Sequence, residues 1–240
     1  YGIYAAGGNK ATRPEGGKVS FTGNLDISVT GKNAYGLYVA NSEDDKSVKS
    51  GNITIDGALT MKIAGTKATG IYVGDCSGWS PAPSVKVNGK FTLQTDKNVT
   101  ALDTVTTRKG MSKGKITLSD ADIKTGGLIG DMVGEIAIRN GKLESTGGTA
   151  FKMRAEGAGV NNVLTLGSKS GEIHLKGDIE RNFRTEIVGD KSYEIPSGDV
   201  TIYLGPNSTW EGKFTGADIS NSSDIFCNAG LWKNTGSATI

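Results

Sequence analysis

Histidine, cysteine and proline are scarce in this chain of 240 residues, which carries one, two and five of them respectively. The single histidine, His174, leaves no basis for a histidine-rich metal centre. It stands in Gly171-Glu172-Ile173-His174-Leu175-Lys176, alternating with apolar neighbours, and so reads as the outward polar member of a strand. No catalytic triad follows from it. Cys76 and Cys227 lie 151 residues apart, on turns expected at opposite ends of the molecule. A bridge would need their Cα atoms within about 7 Å, so two thiols are expected. Five prolines beside 36 glycines point to many turns rather than to disorder. Long apolar runs and a signal peptide are also lacking, so no membrane contact is expected within this stretch. The formal net charge is only +2, with both signs interspersed, which gives no reason to expect a nucleic-acid partner. No amphipathic stretch of helix length stands out.

What the chain does have is a repeat. Tyr1-Gly2-Ile3-Tyr4-Ala5 returns as Tyr35-Gly36-Leu37-Tyr38-Val39 and as Thr69-Gly70-Ile71-Tyr72-Val73, with the central tyrosines 34 residues apart each time. A fixed period of this size means one supersecondary unit stacked on itself. Weaker copies follow at Ala101-Leu102-Asp103, Gly127-Leu128-Ile129 and Ala150-Phe151-Lys152. Their spacing shrinks, as it would if loops shorten while a stacked strand is kept.

A second phrase precedes each copy. Lys18-Val19-Ser20-Phe21 with Leu25-Asp26-Ile27-Ser28-Val29 has counterparts in Asn52-Ile53-Thr54-Ile55 with Leu59-Thr60-Met61-Lys62-Ile63, and in Ser84-Val85-Lys86-Val87 with Phe91-Thr92-Leu93. Apolar and polar residues alternate in each, the mark of a strand with one dry and one wet face. Gly or Asn-Gly at the joints suits a sharp corner. Short Gly-containing joints also make antiparallel hairpins, but the third strand and the long-range repeat argue for a coil instead. Each strand then pairs with its equivalent one turn on. The inward columns are expected to be Val19/Ile53/Val85/Ile116/Ile136, Leu25/Leu59/Phe91 and Leu37/Ile71/Leu102/Leu128/Phe151. The fold class is therefore all-β: a parallel β-helix with three strands per turn and about seven turns, forming one domain over residues 1–240. At roughly 4.8 Å per turn the rod would be ~35 Å long. Right-handed winding is the default for parallel crossovers. Repeat-like text at both ends of the chain suggests a piece of a longer protein.

Among groups that carry chemistry, carboxylates come first, because many β-helices cleave polysaccharides with calcium-binding or paired carboxylates. Asp103, Asp131 and Lys152 fall near one outward ladder. Asp120 and Asp122 form a close pair, and Glu43, Asp44 and Asp45 a loop cluster. None recurs on successive turns, and the Gly-Asp calcium nonapeptide is missing. No catalytic residue, metal ligand or cofactor is therefore expected. Four Asn-x-Ser/Thr triplets, at Asn52, Asn98, Asn207 and Asn221, arise readily in strands this rich in Ser and Thr.

The tyrosines are the better site. Leu and Val of the Gly-Leu-Tyr-Val phrase point inward, so Tyr4, Tyr38 and Tyr72 should stack on one outer face. Such a ladder can form a platform for a sugar or a protein, or it can simply hold the register of adjacent turns. Trp79, in the Pro-containing stretch Asp75–Pro83, is the other outward aromatic: either a binding residue on a loop or an anchor packed on the rod.

One stretch carries more specific text. Asp199-Val200-Thr201-Ile202-Tyr203-Leu204-Gly205-Pro206-Asn207-Ser208-Thr209-Trp210-Glu211-Gly212 resembles the strand, turn and strand of bacterial autotransporter (type V secreted) passenger domains, of the pertactin-like, adhesin-like kind. Ala229-Gly230-Leu231-Trp232-Lys233-Asn234-Thr235-Gly236 resembles the next turn of that pattern. The Gly-Leu-Tyr-Val repeats are similar to those passengers too. The resemblance implies a right-handed β-helix displayed outside the bacterial cell. It implies a non-enzymatic role in adhesion, self-association or contact with a host or bacterial glycan or protein. The alternatives are a carbohydrate-active β-helix enzyme and a spacer stalk.

Overall fold

A computed structural model describes residues 1–240 apart from 9–10, 12–14, 40–48, 75–81, 96, 107–112, 156–160, 217–222 and 236–240. Strand follows strand along the described residues, with no helix among them. The chain winds as a right-handed parallel β-helix. All strands but two join one parallel array of 20 strands. Four of these strands are long enough to turn a corner and serve two faces: Ser84–Gln94, Lys115–Thr125, Gly141–Met153 and Ile173–Arg181. The array thus divides into three sheets, each eight strands deep.

The first sheet opens with Lys18–Phe21 and Asn52–Ile55, the second with Leu25–Thr30 and Leu59–Ala64, the third with Ile3–Ala5, Tyr35–Val39 and Thr69–Val73. Val19 pairs with Ile53, Ile53 with Val85, Val85 with Ile116, and Ile116 with Ile136, as the repeat predicts. Leu25, Leu59 and Phe91 follow suit in the second sheet. Residues 18–21 and 25–30 do not pair with each other as a hairpin; each pairs in parallel with its copy 34 residues on. Ile55 and Leu93 are fully buried. Each unit alone would leave one apolar face wet, and stacking buries it.

The third column departs from expectation. Leu128 is half-buried outside the core, and the position between Leu102 and Phe151 belongs to Gly130. A Cβ on Gly130 would meet the Phe151 ring at 2.5 Å, so that ring occupies the space a leucine would need. The core volume is conserved across two turns rather than at each one. Later in the rod, Trp210 takes the place of Leu175 in the second sheet and Trp232 the place of Trp210. Their indole N–H groups donate to the Gly177 and Gly212 carbonyls, 3.0 Å each.

One element leaves the coil. Phe183–Val188 and Lys191–Pro196 form an antiparallel hairpin. Its turn is Gly189-Asp190, with Gly189 at φ +64, and a two-residue Gly-Asp joint between strands is a known hairpin sign. Ile187 and Tyr193 are exposed on it. At its foot the buried Arg181 donates to the Gly216 and Gly198 carbonyls.

Candidate functional site

Strict alternation would send Tyr35 into the core if Tyr38 points out, since the two are three residues apart. The structure breaks that alternation at Gly36. Gly36 and Leu37 are both buried, and Tyr35 and Tyr38 both face outward. A Cβ on Gly36 would lie 2.7 Å from the Gly70 carbonyl oxygen and 2.8 Å from the Met61 sulfur. Glycine alone fits there, and with Gly36 and Leu37 both buried the strand carries two outward tyrosines instead of one.

Two stacked rows result. Tyr4, Tyr38 and Tyr72 are register partners, with ring centroids 5.4 Å and then 4.7 Å apart. Tyr1 and Tyr35 form the second row, at 5.6 Å. Edge-to-face contacts tie the rows together: Tyr1 to Tyr38 at 4.8 Å, Tyr35 to Tyr38 at 5.1 Å and Tyr35 to Tyr72 at 5.3 Å. These are favoured ring geometries. Five tyrosines therefore make one aromatic surface, its outer end at Tyr1 and Tyr4, which are 68% and 50% exposed. The spacing of 34 identifies three of the five; Tyr1 and Tyr35 obey the same spacing but sit at positions that alternation assigns to the interior. Trp79 lies outside the described residues, as do Cys76 and the Glu43-Asp44-Asp45 cluster.

Beyond Tyr72 the ladder changes chemistry. Its next members are Asp103, Asp131, Lys152 and Glu180. Arg154 reaches back across them: Nε lies 2.8 Å from Asp131 Oδ1, and an Nη 3.3 Å from Asp103 Oδ1. The two carboxylates are thus held by one guanidinium at the border of the aromatic surface.

A groove of about 780 Å³ opens beside this border, at the corner between the second and third sheets. Tyr35, Thr66, Lys67, Lys97, Asn98 and Asp103 are among the residues that line it. Burial, then the Asp103 carboxylate, then Tyr1 push the Tyr35 phenol above its ordinary value of 10.0. Near neutral pH its hydroxyl therefore keeps its proton and can donate.

The remaining polar candidates serve the surface of the rod. Asp122 accepts from the Gln94 amide at 2.7 Å and lies 3.5 Å from Lys90, so Asp120 and Asp122 do not act as an isolated carboxylate pair. His174 is partly exposed, as expected, but is not merely solvated. One ring nitrogen lies 2.6 Å from Glu172 Oε1 and the other 2.9 Å from Thr209 Oγ1. Cys227 is an exposed free thiol. No group of three or more metal-ligating side chains occurs among the described residues. Compared with known protein families, with curated proteins and with solved structures, the chain matches none of them.

Proposed function

We propose that the chain is a non-enzymatic passenger module of a bacterial surface protein, exposed outside the cell, that makes contacts for adhesion, self-association or glycan binding. One observation carries this reading: five tyrosines gathered on a single outer face of a rigid coil. Aromatic rings supply much contact area at little entropic cost, and clustered exposed aromatics dominate contact energetics. The coil itself does not call for a second tyrosine row: the same pair of adjacent buried residues recurs at Gly70-Ile71 and Ala101-Leu102, where threonine stands in the place of Tyr35.

A carbohydrate-active enzyme is the second reading, and Asp103 with Asp131 is the observation that favours it. Both carboxylates are engaged by Arg154, which leaves them as an ion-paired strut rather than as a free acid and base. The test is a glycan and matrix-protein binding array on the intact chain, run beside a polysaccharide lyase and hydrolase assay with added calcium. Binding that is lost in the Tyr38→Ser, Tyr72→Ser double variant, with no turnover of any polysaccharide, is expected. Turnover abolished by Asp103→Asn would replace this reading with the enzymatic one.

A further inference from the structure

The groove next to the tyrosine surface has its own chemical character. Of the six residues that matter, Tyr35 offers a ring edge and a phenol donor, Thr66 and Asn98 offer uncharged polar groups, and Lys67 and Lys97 offer ammonium groups. Asp103 is the one acidic residue of the lining, and Arg154 already lies within 3.3 Å of it. Neither lysine has an ion-pair partner among the described residues. The groove is therefore net positive while the chain as a whole is close to neutral.

The backbone adds an independent observation. Lys67 is held at φ +55, in the left-handed region. Its equivalent one turn earlier is Asn33, also at φ +55. Asparagine is among the residues that tolerate this conformation, whereas lysine is not enriched there. The corner geometry recurs from Asn33, and strained positions of this kind cluster at ligand sites. At this corner it places an ammonium group on the groove in place of the easier carboxamide. The volume, about 780 Å³, lies within the ~300–1,000 Å³ of ligand clefts.

We infer that this groove binds an acidic saccharide: a sugar ring lies against Tyr35, its hydroxyls meet the Tyr35 phenol and Asp103, and its carboxylate or sulfate is held between Lys67 and Lys97. A phenol donor and a carboxylate acceptor lining one groove suit the donors and acceptors of a sugar diol. Two ammonium groups suit an anion without the fixed planar fork that an arginine pair would impose. The inference rests on the surface-contact reading above and names the chemistry of its ligand.

The experiment is calorimetric titration of the intact chain with three probes: an oligogalacturonate hexamer, a sulfated galactan hexamer and the neutral cellohexaose. The first two distinguish carboxylate from sulfate as the recognised anion. Binding of at least one acidic probe and no binding of cellohexaose are expected. Lys67→Gln with Lys97→Gln should weaken that binding about tenfold, as loss of charge-assisted contacts would. Tyr35→Phe should weaken it a few-fold while the melting temperature stays put, since the ring contacts remain. Lys142→Gln, which removes an exposed charge on the second sheet, should change nothing. Equal weakening by Lys142→Gln would show diffuse attraction of polyanions and overturn the groove. Failure of both acidic probes, with Tyr38- and Tyr72-dependent binding intact on the array, would overturn the groove and leave the surface reading standing. Failure of the array as well would remove both.

Discussion

Tyr38 and Tyr72 stand 34 residues apart in the chain and lie ring over ring, 4.7 Å between centroids and 21° from parallel. The pair stacks, and on the proposed function it also presents part of the aromatic surface. Replacing both with serine is expected to cost the ring contact, worth about 0.5–1.5 kcal/mol beyond buried area, and to lower the melting temperature by a few degrees. It is also expected to abolish array binding. Tyr38→Phe with Tyr72→Phe should keep the stability. A double serine variant that melts lower but binds like the parent would reduce the tyrosines to a register device.

Ile55 is fully buried in the column Phe21, Ile55, Val87 of the first sheet. Ile55→Asp would place an unpaired carboxylate there, at a cost of several kcal/mol. That is a large part of a domain's stability, so the neighbouring turns should unfold. Circular dichroism during heating measures it, and a parent-like melt would place the side chain outside the core.

Gly31 and Gly65 are equivalent corner residues, at φ +144 and +131. A Cβ on Gly31 would meet nothing within 4 Å, whereas one on Gly65 would lie 2.0 Å from the Gly31 carbonyl oxygen. Gly31→Ala should cost only the backbone strain, about 1–3 kcal/mol. Gly65→Ala should cost clearly more, because a main-chain oxygen inside the stack cannot move aside. Urea midpoints of the two variants give the order; equal midpoints would show that the turns separate easily.

The Tyr35 phenol is held above its ordinary value by burial, by Asp103 and by Tyr1. Its folded value is raised above the unfolded value of about 10. The stability it contributes is therefore complete below about pH 10 and is lost as pH rises through the raised folded value. Melting temperatures measured across that alkaline range should fall more steeply for the parent than for Tyr35→Phe. Parallel curves would mean that Tyr35 titrates as freely as an exposed tyrosine.

The sequence by itself determined the coil. A period of 34, strand-like alternation and glycine joints leave few ways to bury one face, and parallel stacking satisfies all three at once. Ile53 over Val19 and Tyr38 over Tyr4 follow from spacing alone, because stacked repeats place like residues on like. Only the tertiary structure decided where that logic bends. Gly130 stands in a leucine's place because the Phe151 ring, one turn on, fills the space, and volume shared between turns leaves no trace in either segment read alone. Tyr35 faces outward because two adjacent residues, Gly36 and Leu37, are both buried at this corner, a break in alternation that recurs at Gly70-Ile71 and Ala101-Leu102 and that pattern reading does not assume. The groove joins Tyr35, Lys67 and Lys97 from three successive turns around one corner. Local sequence cannot foretell such a meeting, since loop length sets which turn each residue reaches.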